Sequence, residues 1–162
     1  MAKFSIFLII VVIAMAAPIV HAQEGKDFLI KTARALETSP TDKETRKMVK
    51  RSIKWIIESD EVQVTLCRSA YDMIGDYEYK FREEMTTAYT IGVAAFQLEN
   101  PSKATDRNAV HLAGIELTLK VYEGYVKANP KSTSALIEVL IEERNKGNLA
   151  QAIAALKCGT SR

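Results

Sequence analysis

Apolar residues recur every three or four positions along most of the chain after residue 22, which is the period of an amphipathic helix. The first such stretch, residues 24–38, gathers its apolar positions on one side: Phe28, Leu29, Ala33 and Leu36. Ser39-Pro40 follows it, and the residue before a proline avoids the helical region. The pattern therefore predicts a helix that ends before Pro40.

A second helix is predicted to begin at Thr41, because Thr-Asp-Lys-Glu places Glu44 three positions on, as in a capping box. Trp55 falls at the edge of its inward face, which consists of Met48, Val49, Ser52, Ile53 and Ile56. Basic residues crowd residues 43–54: Lys43, Arg46, Lys47, Lys50, Arg51 and Lys54. This basic helix is interpreted either as a solvated face or as a patch for an acidic partner or anionic headgroups.

Residues 61–66 break the helical period and alternate instead, with Val62, Val64 and Leu66 separated by polar residues. Alternation over β-branched residues is typical of a strand, but a lone short strand cannot stabilise itself. We therefore predict an extended connector that leads Cys67 into the core. A short helix over residues 68–74, ended by Gly75, is expected to follow.

Two long helices are predicted next, over residues 77–99 and from a cap at Ser102 or Thr105 to residue 128. The second has one apolar stripe through Leu117 and a further face through Ile115. A helix that is apolar on two sides belongs near the centre of a bundle.

Two short helices complete the pattern. The first is expected to end at Gly147 in a left-handed cap, and Asn148 is expected to cap the second, after which Cys158 follows. The sequence predicts an all-α fold, an irregular single-domain bundle of five to seven helices with one short extended connector, over residues 23–162.

Residues 1–22 have the features of a secretory signal peptide. Lys3 gives a positive start, an unbroken apolar stretch runs over residues 6–17, Pro18 interrupts it, and small residues precede a cleavage site after Ala22. The apolar part is shorter than the roughly 20 residues a membrane span needs, although an uncleaved anchor is the alternative. We expect a periplasmic or secreted protein with no stable membrane anchor after cleavage.

The remaining chain has two cysteines, Cys67 and Cys158. An even number favours a disulfide in an oxidising compartment, and two free buried thiols are the rival interpretation.

Composition excludes some functions. With 48% hydrophobic residues, 26% charged residues and a net charge of +2, the chain is an ordinary globular protein. The small net charge argues against nucleic-acid binding. His111 is the one histidine after residue 22, and no zinc-protease, nucleophile-elbow or phosphate-loop motif occurs. The adjacent acids Glu83 and Glu84 point about 100° apart on a helix, which does not suit a glycosidase pair. We expect no enzyme activity, no cofactor and no metal.

Two groups of residues are candidates for a site. Glu99, Asp106 and His111 surround the Asn100-Pro101 reversal, and form either a polar clamp at this corner or a binding site. Aromatic residues form the second group, as a pocket or interface or as half-buried packing: Tyr71, Tyr77, Tyr79, Tyr89, Phe96 and Tyr122.

The chain resembles small exported bacterial helical proteins in three elements: ENPSKATD at residues 99–106, HLAGIE at residues 111–116, and a lysine-containing turn before the last helix pair and its cysteine. More remotely, residues 121–158 resemble the Rap1a/Tai-type periplasmic immunity proteins, in which a helix also ends at a proline and a terminal cysteine closes a disulfide. The remote resemblance implies an inhibitor of toxic cell-wall amidases, and it transfers no functional residue.

The sequence leaves two main hypotheses. The first is an exported module that binds a protein partner, with an inhibitor or immunity-type factor as one form. The alternative is a small-molecule or lipid carrier with a pocket between helices near Tyr89, Phe96 and Tyr122.

Overall fold

The computed structural model describes residues 23–156 and Cys158. Of these residues 74% are helical, and they form seven α-helices and no strand. The helices are α1 (residues 23–38), α2 (Lys43–Glu58), α3 (Arg68–Ile74), α4 (Arg82–Glu99), α5 (Arg107–Ala128), α6 (Ala135–Asn145) and α7 (Leu149–Ala155), with a 3-10 turn at Pro101–Lys103. The predicted all-α single domain is confirmed. The predicted signal peptide lies outside the described residues.

The centre of the fold is the pair α4 and α5, which pack against each other more extensively than any other two of the helices α2 to α7. Two glycines permit this approach. A Cβ on Gly92 would lie 3.0 Å from the Ala113 carbonyl oxygen, and one on Gly114 would lie 2.8 Å from the Tyr89 ring. The predicted central position of α5 is therefore confirmed.

Helices α1 and α2 form an antiparallel hairpin beside this centre. The buried hydroxyl of Ser52 donates to Thr32 Oγ1 at 2.8 Å. Near the start of α1, the Trp55 indole packs so closely on Gly25 that a Cβ there would overlap it. Pro40, between the two helices, contacts α5 at Gly124. These contacts hold α2 against the bundle by one narrow face.

The start of α2 differs from the prediction. Asp42, not Thr41, is the N-cap, and its carboxylate accepts the N–H groups of Glu44 at 2.8 Å and Thr45 at 3.2 Å. Those bonds lower the pKa of Asp42. A carboxylate satisfies the same N–H groups as a hydroxyl would, and its charge also interacts favourably with the positive end of the helix dipole.

The start of α5 follows the same rule. Asp106 is the N-cap and accepts the Ala109 N–H at 3.1 Å, whereas Ser102 or Thr105 was expected to cap. At the starts of both α2 and α5, a carboxylate therefore occupies the N-cap position.

Helix α4 begins at Arg82, five residues later than predicted. Residues 77–81 form turns, because long-range contacts hold them there. The Tyr79 hydroxyl donates to the Ser132 carbonyl at 3.0 Å, and the ring of Phe81 packs 4.6 Å from that of Tyr125.

Residues 61–66 have no regular secondary structure, in agreement with the predicted connector. The side-chain amide of Gln97 holds it at the middle, accepting the Gln63 N–H at 3.1 Å and donating to the Gln63 carbonyl at 3.0 Å. The connector ends at buried Cys67, which forms a disulfide with Cys158 at a Cα separation of 4.9 Å. The predicted pairing is confirmed.

The end of α6 is also as predicted. Gly147 has a φ of 76°, in the left-handed region that favours glycine. Asn148 occupies the N-cap position of α7, but its side chain makes no capping bond.

Candidate functional site

The three residues of the predicted polar corner contact three different partners. Glu99 forms an ion pair with Arg34 of α1, Asp106 caps α5, and His111 lies inside the core. No described hydrogen bond or ion pair joins any two of them. The corner therefore consists of separate structural contacts.

His111 belongs to a buried polar chain that leads to the disulfide. Its Nδ1 lies 2.5 Å from the Tyr89 hydroxyl, and the Cys67 N–H reaches the same hydroxyl oxygen at 3.5 Å. Burial raises the pKa of Tyr89, while burial and the nearby Arg107 lower the pKa of His111. Both groups are therefore neutral at pH 7. The hydrogen bonds that join Cys67, Tyr89 and His111 hold α4 against α5 and against the connector.

The six aromatic candidates do not form one cluster, although the Tyr79 and Tyr122 rings lie 6.1 Å apart and Tyr71 and Tyr77 both interact with Arg82. Tyr122 donates to Glu138 and accepts the Ser134 N–H at 3.0 Å, so its hydroxyl is fully used inside the protein. Tyr89 and Tyr122 are no more than 1% exposed. Tyr77 is 85% exposed and stacks on Arg82, whereas Tyr71 and Phe96 are half-buried in different places. Tyr89 and Tyr122 both belong to the buried core.

An apolar cleft lies elsewhere, where α2 crosses α4 and α5. We call it the α2–α4 groove. It is half-open to solvent and has a volume of about 410 Å³. Its floor is apolar: Leu36, Pro40, Val49, Ile53, Ala88 and Val121. Its rim is polar, with Arg46, Lys50, Glu83, Glu84 and Thr87, and the largely buried Tyr125 lines the groove below. A cleft of this size with an apolar floor and a few polar groups has the anatomy of a binding site.

The rim carries opposite charges on opposite sides. Three other cations of α2 form ion pairs, namely Lys47, Arg51 and Lys54. Lys43, which lies outside the groove, has none with a described residue. Arg46 and Lys50, on the rim, likewise form no ion pair with any described residue, and the same holds for Glu83 and Glu84 on α4. Four charges thus border an apolar floor, and no residue in the described part of the chain neutralises them by an ion pair.

Tyr125 adds a polar group at the base of the groove. Burial raises its pKa, Glu84 raises it further and Arg46 opposes them, so both charges act on this hydroxyl. Within the described chain the hydroxyl has no hydrogen-bond partner. A bound group would find a neutral donor there, between a cation and an anion.

Sequence reasoning identified the parts of this groove without joining them. Arg46 and Lys50 belonged to the predicted basic helix, and Glu83 and Glu84 were considered only as a catalytic pair. Their meeting depends on how α2 crosses α4, which no local pattern specifies.

The exposed large apolar side chains of the described chain form no broad patch. Leu136 and Val139 lie one turn apart on α6, whereas Ile57, Leu66 and Tyr77 lie on other parts of the chain. Scattered exposed apolar residues are ordinary. Among residues 23–156 and Cys158, no group of three His, Cys, Asp or Glu side chains is arranged to hold a metal ion. No helix in the same part of the chain combines the length and apolarity that crossing a bilayer requires.

Comparisons with protein families, with curated proteins and with solved structures found no match to this chain.

Proposed function

We propose that this protein is an exported helical module that binds a segment of another protein, and that the α2–α4 groove is its binding surface. The observation that carries the proposal is an apolar floor bordered by two cations on α2 and two anions on α4, none of which forms an ion pair with a residue that the structure describes.

The groove suits a peptide segment better than an enclosed ligand. Small-molecule sites bury most of their ligand, whereas this cleft is half-open. An amphipathic segment lays its apolar side chains into such a groove and keeps its charged residues at the edges. Arg46 and Lys50 would pair with acidic residues of the partner, and Glu83 and Glu84 with basic ones.

Two observations support a partner outside the cytosol. Residues 1–22 have the pattern of a cleaved leader, and Cys67 and Cys158 form a pair that persists best in an oxidising compartment. The resemblance of residues 121–158 to immunity proteins makes an inhibitor of an exported enzyme one form of this function.

The test begins with site-specific photocrosslinking in the cells that make the protein. A photoreactive phenylalanine replaces Val49 inside the groove or, as control, exposed Ile57 on the same helix. We expect one crosslinked protein from position 49 alone, identified by mass spectrometry. Equal crosslinking from both positions would place the contact outside the groove.

The second stage measures binding of the identified partner by calorimetry with charge-reversal variants. Lys50→Glu reverses a rim charge, and Lys54→Glu reverses a matched exposed lysine that pairs with Glu58 away from the groove. Loss of a charge contact predicts about tenfold weaker binding for Lys50→Glu only. Equal affinities for both variants would refute the groove as the binding surface.

A carrier function has a separate outcome. A ligand that binds only the folded state raises the melting temperature. Saturable stabilisation by dodecanoate, abolished by Val49→Glu, would replace the protein-binding proposal with a lipid carrier that uses the same groove.

A further inference from the structure

The base of the α2–α4 groove contains a hydrogen-bonding group that no described residue uses. Tyr125 lines the groove and is only 6% exposed, and its hydroxyl has no partner among the described residues. Buried polar groups are nearly always hydrogen-bonded, since loss of hydration without a replacement bond costs free energy. A segment that fills the groove excludes water from this hydroxyl and must therefore supply an atom that bonds to it.

The Tyr125 hydroxyl is accessible from the groove. Two other unbonded hydroxyls of the described chain, Ser132 Oγ and Ser134 Oγ, are sealed from solvent. The Tyr125 oxygen is not among these sealed atoms, so it keeps some contact with solvent, and the groove is the cleft that its side chain lines. A bound segment can therefore reach the hydroxyl from the groove side.

The ring that carries this hydroxyl is held in place. Tyr125 lies near the end of α5, one of the two central helices, and its ring packs on that of Phe81 with the ring centres 4.6 Å apart. Rotation of the O–H bond is the adjustment that remains. The hydroxyl is therefore positioned before a partner arrives, so a bond to it costs little additional ordering.

Charges of both signs act on the same hydroxyl. Burial raises the pKa of Tyr125, Glu84 raises it further and Arg46 opposes them, so the phenol is neutral at pH 7 and lies near both charges. A partner carboxylate at this depth gains from Arg46 what it loses to Glu84, and an ammonium group does the reverse. Neither recovers the hydration that it gives up above an apolar floor.

A primary carboxamide suits this environment better than a charged group does. It is neutral, and it carries an acceptor oxygen and a donor NH₂ group side by side. The oxygen would accept the Tyr125 O–H and face Arg46, while the NH₂ group would donate to Glu84. The backbone amides of a helical segment cannot replace it, because their N–H and C=O groups already bond to each other within the helix.

We infer that the α2–α4 groove selects a partner helix with one Asn or Gln on its apolar face, and that Tyr125 recognises the carboxamide of that side chain. The inference rests on the proposed function and adds the chemistry of the segment that binds. A helix with Leu at the same position would bury the Tyr125 hydroxyl without a partner, and a site built to form a hydrogen bond discriminates against such an analogue. Tyr125 is therefore a specificity-determining residue of the groove.

The experiment selects binders from a displayed library of amphipathic helical peptides against the processed protein with its disulfide intact. Parallel selections use Tyr125→Phe and, as a matched control, Tyr77→Phe, which removes the hydroxyl of an exposed tyrosine outside the groove. Binding in the groove is recognised by its loss in Val49→Glu or, where that variant unfolds, in exposed Lys50→Glu. We expect the wild-type protein and Tyr77→Phe to enrich peptides with Asn or Gln among their apolar residues, and Tyr125→Phe to enrich Leu or Met there.

Calorimetry on one enriched peptide, and on its analogue with Leu in place of the carboxamide residue, completes the test. We expect the replacement to weaken binding to the wild-type protein about tenfold and to leave binding to Tyr125→Phe unchanged or stronger. Equal effects on both proteins, or groove-binding peptides without a carboxamide, would overturn the inference and leave the proposed function standing. A library that yields no groove-binding peptide would overturn both.

Discussion

Helices α5 and α2 differ in the partners that their polar side chains find within the described part of the protein. In α5 the buried polar groups have partners inside the protein, since His111 meets Tyr89 and the Thr118 hydroxyl donates to the Gly114 carbonyl at 2.9 Å. In α2, Arg46 and Lys50 face the groove without an ion pair to a described residue. The first arrangement stabilises the fold, and the second leaves charges available for a partner.

Packing shows the same contrast. Glycines let α4 and α5 approach until a single added carbon would collide, whereas the crossing of α2 over α4 leaves an open groove of about 410 Å³. A substitution in a close-packed interface creates a cavity or a clash, whereas a side chain beside an open groove has room to differ in size. Substitutions in the two regions should therefore have very different effects on stability.

The largest expected effect comes from a charge in the central pair. Leu117 is 4% exposed, and Leu117→Asp would bury an unpaired carboxylate, at a cost above about 4 kcal/mol. We expect the Leu117→Asp protein to lose its cooperative unfolding transition in urea, which circular dichroism measures. Lys127→Asp, an exposed change on the same helix, is the control and should keep the transition. A cooperative transition in Leu117→Asp would show that α5 is not central to stability.

Substitutions of Tyr89 and Tyr125 compare the two regions through an effect of intermediate size on the free energy of unfolding. Tyr89→Phe leaves His111 Nδ1 without its buried partner and should lower the free energy of unfolding by about 1–3 kcal/mol. Tyr125→Phe removes a hydroxyl at the groove that bonds to no described residue, so a change within about 0.5 kcal/mol is expected. Urea denaturation of both variants measures the difference. Equal losses would mean that the groove hydroxyl is also structural.

The smallest expected effect concerns pH. The folded state lowers the pKa of His111 below the ordinary 6.5, so the unfolded chain binds this proton more readily. The neutral imidazole makes its full contribution to the free energy of unfolding above pH 6.5. This contribution declines as the pH falls from 6.5 toward the lower pKa of His111 in the folded protein. We expect a decline between pH 7.5 and 5.5 that is smaller in His111→Gln. Parallel pH profiles for the two proteins would contradict the burial of a neutral His111.

Much of the fold follows from local pattern. Residues 68–74 and the ends of α4 and α6 were predicted at or within a residue of their observed positions, because proline and glycine breaks act on their immediate neighbours. The start of α4 was wrong, since Tyr79 and Phe81 satisfy contacts with residues more than 40 positions away. The candidate site was recognised only in fragments for the same reason.

The sequence by itself determined the helical class and the central place of α5, and it favoured the pairing of Cys67 with Cys158 over two free thiols. Those features depend on periodicity and on the number of cysteines. Tertiary structure alone decided that His111 joins Tyr89 rather than Glu99 or Asp106, and that cations of α2 face acids of α4 across an apolar floor. The physical reason is that side-chain direction along a helix is local, whereas the angle at which two helices cross depends on every residue packed between them.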